Sequence, residues 1–282
     1  PPPAQALGHG SSQVQVQARL QIFHERIGDF VVSLDYARRS AAVASTIADP
    51  TAHATANSLV GLCSHLTGDQ TQARPLLEKA IAGAVHPSHA STIYSGFDHC
   101  NRARIALART LWLQGHPDHA VALAHQAVDE ARRLGHPLTL CIALIWAVSV
   151  YLWAGDLARA ERDIDSFIAY AESHSLTPYL AVGRGVKGEL AVRCGDPARG
   201  VAAIERCLLE LHESRYELLT TAFRLSLAEG LILIGKARDA LVLLDESLAQ
   251  VHANGDLYNL PELLRVKAGA LLGAGGQRSA QA

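Results

Sequence analysis

The sequence predicts an all-α fold: a right-handed superhelical solenoid of about six helical hairpins built on a 40-residue unit, plus a terminal helix. Three observations carry this. Gly115, Gly155, Gly195 and Gly235 recur at intervals of 40 residues, and Gly28 and Gly68 stand 40 apart upstream. Each glycine is followed by a polar residue (Asp29, Asp69, His116, Asp156, Asp196, Lys236) and, five places on, by a small one (Ser33, Ala73, Ala120, Ala160, Gly200, Ala240). An apolar helical pattern of about four turns runs up to each glycine and another runs away from it. From Gly68 to Gly115 the interval is 47, so seven further residues interrupt the ladder.

Taken in order, residues 1–13 are Pro, Gly, Ser and Gln without apolar periodicity and are expected to form a disordered linker. The repeat domain is expected over 14–273. Its first hairpin pairs Val14–Phe30 with Val31–Ala48, stopped by Asp49-Pro50. Next comes Thr51–Thr67 with Gln70–Val85, in which Pro75 falls near the start of a helix, where a missing N–H costs least. The insertion Ala84–Gly96 (AVHPSHASTIYSG) reads as a loop, functional or incidental. The third hairpin joins Phe97–Gln114 to Asp118–Leu134, and the fourth joins Leu138–Ala154 to Leu157–His174. The fifth joins Tyr179–Cys194 to Ala198–Ser214, and the sixth joins Glu217–Ile234 to Arg238–Ala253. A terminal helix Pro261–Gly273 and a flexible tail 274–282 complete the chain.

The turn glycine can take the left-handed conformation that ends a helix, and the residue after it starts the next. The small residue five places later allows the partner helix to approach closely, as do Gly61, Ala108, Gly188 and Ala228 seven places before their glycines. Gln21 and Val148 break this second rule.

Composition bounds the function. The chain of 282 residues is 49% apolar and 18% charged with a net charge of −2, which gives no basic footprint for direct nucleic-acid binding. Five scattered cysteines without a C-x-x-C pair read as free thiols of a reducing compartment, and the expected location is cytoplasmic. Leu138–Ala154 is apolar enough to suggest a membrane span, but it occupies a repeat slot and is expected to be a buried core helix.

With its turn glycine, the small residue after it and the small residue before it, the array resembles the tetratricopeptide repeat, lengthened from the usual 34 residues. A narrower resemblance covers roughly 97–272. Runs such as FDHCNRARIALARTLWLQGHPDHAVALAHQAVDEARRLGHPLTLCIALIWAVSVYLWAGDLARAE and YELLTTAFRLSLAEGLILIGKARDALVLLDESL look like the C-terminal helical repeats of large bacterial transcription regulators. Those proteins join a winged-helix DNA-binding domain to a STAND-type signal-transducing ATPase. The resemblance implies a ligand-sensing and oligomerisation arm, with N-terminal ATPase and DNA-binding domains of a parent chain as partners. This chain has no G-x-x-x-x-G-K-[ST] loop and no winged helix, so neither activity is expected within it.

In the tetratricopeptide repeat the first helix of each hairpin lines a concave groove. Carried onto this sequence, the groove positions include His65, Arg102, Arg109, Trp112, Ser149, Trp153, Glu189, Arg193 and Glu229. Arginine offers a fork for carboxylate or phosphate and tryptophan a flat apolar surface, although either Trp could equally be interhelical packing. The occupant is expected to be a peptide, a small molecule or a protein, with a homo-oligomer as a further possibility.

No cofactor and no metal are expected. His86, His89, His99, Cys100 and Asp98, and separately His116, Asp118 and His119, have ligand-like spacing, but Pro87 and Pro117 place the pairs in turns. No catalytic residue is expected either. The enzyme alternative is an α/α-toroid glycosidase using Glu189 and Glu229, which hold equivalent places in neighbouring repeats. With only 5% aromatic residues, the chain supplies such a sugar cleft poorly. A free-standing peptide receptor or adaptor is the other alternative.

Overall fold

The structure, a computed structural model, describes residues 4–83 and 96–279, with side chains over 10–83 and 96–272. Among the described residues it is all helical: thirteen α-helices and one short 3-10 turn. Contacts divide the chain into two compact units, 1–156 and 157–282.

The first unit contains α1 (Ala4–Arg26), α2 (Phe30–Ala44), α3 (Pro50–Leu66), α4 (Gln70–Ala82), α5 (His99–Leu113), α6 (Pro117–Leu134) and α7 (Pro137–Ala154). Each helix packs on the next in sequence. The first helices of successive hairpins, α1, α3, α5 and α7, also touch in series. This nearest-neighbour pattern is that of an α-solenoid. Leu59, Leu62, Leu66, Leu77, Ile105, Leu144 and Tyr151 fill the space between the layers. Helix α7 is the one described helix long and apolar enough to span a membrane, yet 67% of that span is buried within the protein.

The second unit contains α8 (Leu157–Ser173), α9 (Thr177–Arg193), α10 (Pro197–Glu213), α11 (Thr220–Leu233), α12 (Ala237–Asn254), the 3-10 turn Leu257–Asn259 and α13 (Leu260–Ser279). It follows the same rule, with α9, α11 and α13 in series and Ile164, Phe167, Ile204 and Phe223 at its core.

The six ladder glycines all have φ between 75° and 89°, the left-handed conformation in which a Cβ would be strained. The following aspartate caps the next helix where the ladder supplies Asp29, Asp69 and Asp196, accepting from Val32, Gln72 and Arg199 N–H respectively. All six small residues five places on are buried. Gly188 and Gly200, predicted to face each other, are in backbone contact: a Cβ built on Gly200 would lie 2.7 Å from Gly188 O.

A second ladder was not read from the sequence. Residues 135, 175, 215 and 255, again 40 apart, end the second helices and all have positive φ, although two are Ser175 (54°) and Arg215 (50°). Without glycine at those two places the period was hidden.

Several boundaries differ from expectation. The linker expected over 1–13 is helical from Ala4: Val14 and Gly10 are buried, and Ser11 Oγ donates to Asp49 Oδ2 at 2.7 Å. Residues 1–3 lie outside the described residues. Helix α2 stops at Ala44 rather than Ala48, because the Ser45 and Thr46 hydroxyls turn back onto Ala42 and Val43 carbonyls. Helix α11 starts at Thr220 rather than Glu217, since Glu217 accepts from Thr220 Oγ1 (2.7 Å) in the preceding turn. Helix α13 continues to Ser279, through part of the expected tail. The insertion lies outside the described residues except Gly96, which has φ 80°.

Candidate functional site

The nine expected groove residues fall into two sets, one per unit. In the first unit, α5 carries Arg102 and Arg109 about two helical turns apart on one face, and both are buried. The Arg109 guanidinium lies over Trp146 at 4.5 Å and over Trp153 at 5.2 Å from the ring centroids. Trp153 also meets Trp112, with ring centroids 6.2 Å apart and planes tilted by 35°. Trp112, Ser149 and Trp153 are half-buried, so each presents part of its surface to solvent. Trp112 and Trp153 form a tilted aromatic pair, with the Arg109 guanidinium against Trp153 and Ser149 beside it on α7.

His65 is fully buried. Its Nδ1 faces Gln70 Oε1 at 2.9 Å and Thr110 Oγ1 at 3.1 Å, and its ring lies 6.2 Å from Trp146. Burial first, and then the charge of Arg109, push its pKa down to about 3, so the ring stays neutral near pH 7.

The expectation that Arg102 offers a free fork to a ligand is corrected. Its Nη2 forms an ion pair with Glu25, both side chains being almost wholly buried, and its guanidinium lies 4.9 Å above the Phe97 ring. Glu25 also accepts from Gln21 Nε2 (2.7 Å), which reaches Ser33 Oγ at 2.9 Å. This explains why Gln21 can occupy a position held by a small residue in four of the six hairpins: the facing residue is a serine, and Ser33 Oγ donates back to Gln21 O. Glu25 was missed in the sequence. Its signal was there in one hairpin, where Gln21 breaks the small-residue rule and the small residue of the second helix is the polar Ser33.

In the second unit, Glu189 and Arg193 pair along α9 (3.1 Å), and Glu229 of α11 pairs with Arg265 of α13 (2.7 Å), which also holds Glu262. Burial chiefly, and the nearby Glu229 charge, raise the pKa of Glu189, while Arg193 opposes the shift. The two carboxylates proposed for a glycosidase are thus in mutual electrostatic reach, but each is engaged by an arginine.

Among the described residues no group of three metal-ligating side chains converges. Asp98 caps α5, accepting from Cys100 and Asn101 N–H, and the His99 ring lies 4.7 Å from that of Phe97, tilted by 49°. His116 is the N-cap residue of α6, with its ring 6.3 Å from that of His119. His86 and His89 lie outside the described residues. The five cysteines are free thiols.

No protein-family model matches the chain, and no curated protein matches it. Solved structures do resemble it. A Rap protein complexed with Competence and Sporulation Factor superposes with a TM-score of 0.62 at 15% identity, covering 93% of this chain and 76% of that one. Aspartyl phosphate phosphatase F from Bacillus subtilis gives a TM-score of 0.58 at 10% identity, covering 93% and 72%. The apo form of RapI gives 0.56 at 10% identity, covering 93% and 99%. At such identities the likeness defines the fold. The chain is an all-α, tetratricopeptide-like helical-repeat protein.

Proposed function

We propose that the chain is an interaction domain that binds a peptide or protein segment on the first helices of its hairpins, with Trp112 and Trp153 as the anchoring surface in the first unit. The observation that carries this is the half-exposed pair of Trp112 and Trp153, with Trp153 held against the buried Arg109 guanidinium. Aromatic side chains fixed by packing lose little entropy on binding, and tryptophan is over-represented among binding hot spots. Ser149, half-exposed on the helix that carries Trp153, adds a polar contact. Trp146, His65 and Arg109 act beneath them as support.

Within a parent protein, this reading places the domain as the sensor and interaction arm of a cytoplasmic STAND-type ATPase and winged-helix transcription regulator. The sequence resemblance over roughly 97–272 supports that context. Ligand on the first helices would favour one packing of neighbouring repeats and bias an attached domain by its differential affinity.

The second reading is a free-standing peptide receptor or adaptor, favoured by the fold shared with the Rap protein complexed with Competence and Sporulation Factor. The full parent gene separates the two: an upstream phosphate-binding loop and winged helix support the regulator, and a short parent the receptor. The glycosidase reading is weakened by the ion pairs that engage Glu189 and Glu229. Inactivity of the wild-type chain on a glycoside panel would remove it.

Binding is tested by thermal melting and tryptophan fluorescence of the chain against a peptide library. A peptide that raises the midpoint and changes the fluorescence should lose about tenfold or more in affinity in Trp112→Ala or Trp153→Ala, a typical hot-spot loss. A peptide that binds equally well to both variants would refute the tryptophan surface.

A further inference from the structure

A second site lies on the other side of α9. Between α9 and α10, which meet at Gly188 and Gly200, the surface sinks into an open depression of ≈ 280 Å³. Four cationic side chains ring it: Arg184 and Lys187 from α9, Arg199 and Arg206 from α10. Its floor is small and largely apolar, made by Gly188, Ala191, Ala203 and Cys207. On a helix of 3.6 residues per turn, Arg184, Lys187 and Ala191 face about 170° away from Glu189 and Arg193. The depression is therefore distinct from the groove positions on the same helix.

The anionic partners present do not balance these cations. Arg184 and Arg206 share one carboxylate, Glu210, at 3.2 and 2.9 Å, and Lys187 pairs with Asp165 at 2.6 Å. Arg199 is exposed, and its guanidinium has no ion-pair or hydrogen-bond partner among the described residues. Four positive charges against two negative ones leave two in excess around one cavity.

The other hairpins show that the scaffold does not require these cations. At the positions equivalent to 184, 187, 199 and 206, the third hairpin has Arg104, Leu107, His119 and Gln126. The fourth has Leu144, Ala147, Arg159 and Ser166, and the sixth has Arg224, Leu227, Asp239 and Glu246. The arginine at the first position recurs with a structural partner in the second helix: Arg104 binds Glu130 and Arg224 binds Gln250, as Arg184 binds Glu210. Among these hairpins only the fifth has a cation at all four positions, a cation at the position of Arg206 occurs in it alone, and Arg199 lacks the carboxylate partner that Arg159 has in Asp163; all four cations line the cavity.

We infer that this depression binds a small phosphate monoester, its phosphate held by Arg199, Arg206 and Lys187 and its body lying over Ala191 and Ala203. A phosphate monoester carries close to two negative charges near pH 7 and presents oxygens that suit the planar arginine fork. The cavity is near the lower end of the size range of small-molecule sites, which excludes a bulky ligand. The open rim predicts modest affinity and a strong dependence on salt.

The test is calorimetric titration of the 282-residue chain with phenyl phosphate at about 20 mM and 150 mM salt, with benzyl alcohol as the uncharged comparison. Arg199→Ala should weaken phenyl phosphate binding about threefold or more, and Arg199→Ala with Arg206→Ala about tenfold, at unchanged melting temperature. Arg238→Ala, which removes an exposed arginine from the next hairpin, should change nothing. Failure of the wild-type chain to bind phenyl phosphate at low salt would overturn the inference. So would equal weakening by Arg238→Ala, which would reduce the effect to net charge. The groove variants Trp112→Ala and Trp153→Ala should leave phenyl phosphate binding intact, so this site and the peptide site fail or stand separately.

Discussion

Gly200→Ala is a substitution for which repeat statistics and the structure give opposite answers. Four of the five equivalent positions carry alanine (Ala73, Ala120, Ala160, Ala240), and alanine exceeds glycine in helix propensity by up to about 1 kcal/mol. On that ground alone the change should stabilise. At this site, however, the new Cβ would stand 2.5 Å from Val192 Cγ2, 2.7 Å from Gly188 O and 3.0 Å from Val192 N. Val192 could rotate away, but the carbonyl of Gly188 cannot. Helices α9 and α10 must therefore part by roughly half an ångström or more to reach normal contact.

Overpacking of this kind costs about 1–3 kcal/mol, so the net effect is destabilisation by about 1 kcal/mol once the propensity gain is subtracted. For a chain of this size that lowers the melting temperature by roughly 2–4 °C. Calorimetric melting of wild type and variant decides the matter, with hydrogen exchange along α9 and α10 locating the loss. A midpoint that rises in Gly200→Ala would refute the reasoning, since it would mean that the Gly188 contact relaxes at negligible cost.

Arg215→Gly should act in the opposite sense: its left-handed backbone (φ 50°) is strained for arginine, so relief less the added unfolded-state entropy should raise stability by about 0.5–1 kcal/mol in denaturant titration. Arg102→Ala should cost about 3–5 kcal/mol, because it leaves the buried Glu25 carboxylate without its ion pair. Replacing both Glu25 and Arg102 by apolar residues of similar size should recover much of that loss, and chemical denaturation reads both. His65, held neutral with a pKa near 3 against about 6.5 in the unfolded chain, favours proton uptake on unfolding. Its contribution is fully present above the unfolded value and is lost as pH falls from about 6.5 toward 3, by up to about 1.4 kcal/mol per pH unit. Nuclear magnetic resonance should show no titration of the His65 ring between pH 8 and pH 5, and a shift in that range would contradict its burial.

The scaffold was largely legible because its determinants are local and repeated. A turn glycine, a capping aspartate and a small residue at the helix contact each act within a few residues, so their spacing survives in the sequence. The second turn ladder was hidden because Ser175 and Arg215 occupy left-handed positions that surrounding structure enforces against their own preference. The groove residues were legible as positions but not as states. Arg102 and Arg109 sit on the side of α5 carried over from the tetratricopeptide pattern, yet Glu25, 77 residues away, and Trp146 decide that both are buried. Such long-range partners leave no periodic trace. Gln21 is the partial exception, since its break with the small-residue rule marked the place where the polar network enters the core.

Repetition also separates scaffold from function within a single chain. A residue that recurs at one register and meets the same partner in each repeat is explained by packing: Arg104, Arg184 and Arg224 each cross from a first helix to the second helix of the same hairpin. Lys187 and Lys267 likewise reach back to Asp165 and Asp245, both at 2.6 Å. Conversely, an exposed residue that lacks the partner its repeat counterpart has, and that lines a cavity, has no such explanation: Arg159 pairs with Asp163, whereas Arg199 at the same register has no ion-pair partner among the described residues. The tryptophans fall between. Trp112 and Trp153 stand at neighbouring registers, three and two residues before their own turn glycines, and pack on each other while part of each side chain remains in water. Packing accounts for the covered parts of those rings. The exposed parts, contiguous across two repeats and backed by the buried Arg109, are the surface that a partner would cover, and their removal tests binding rather than folding only when the melting temperature holds. For that reason the conservative Trp112→Phe and Trp153→Phe variants belong beside the alanine variants: they keep an aromatic ring in the stack while reducing the face offered to a ligand. Affinity that falls in the phenylalanine variants at unchanged stability would assign these rings to recognition, whereas parallel loss of both would assign them to the core.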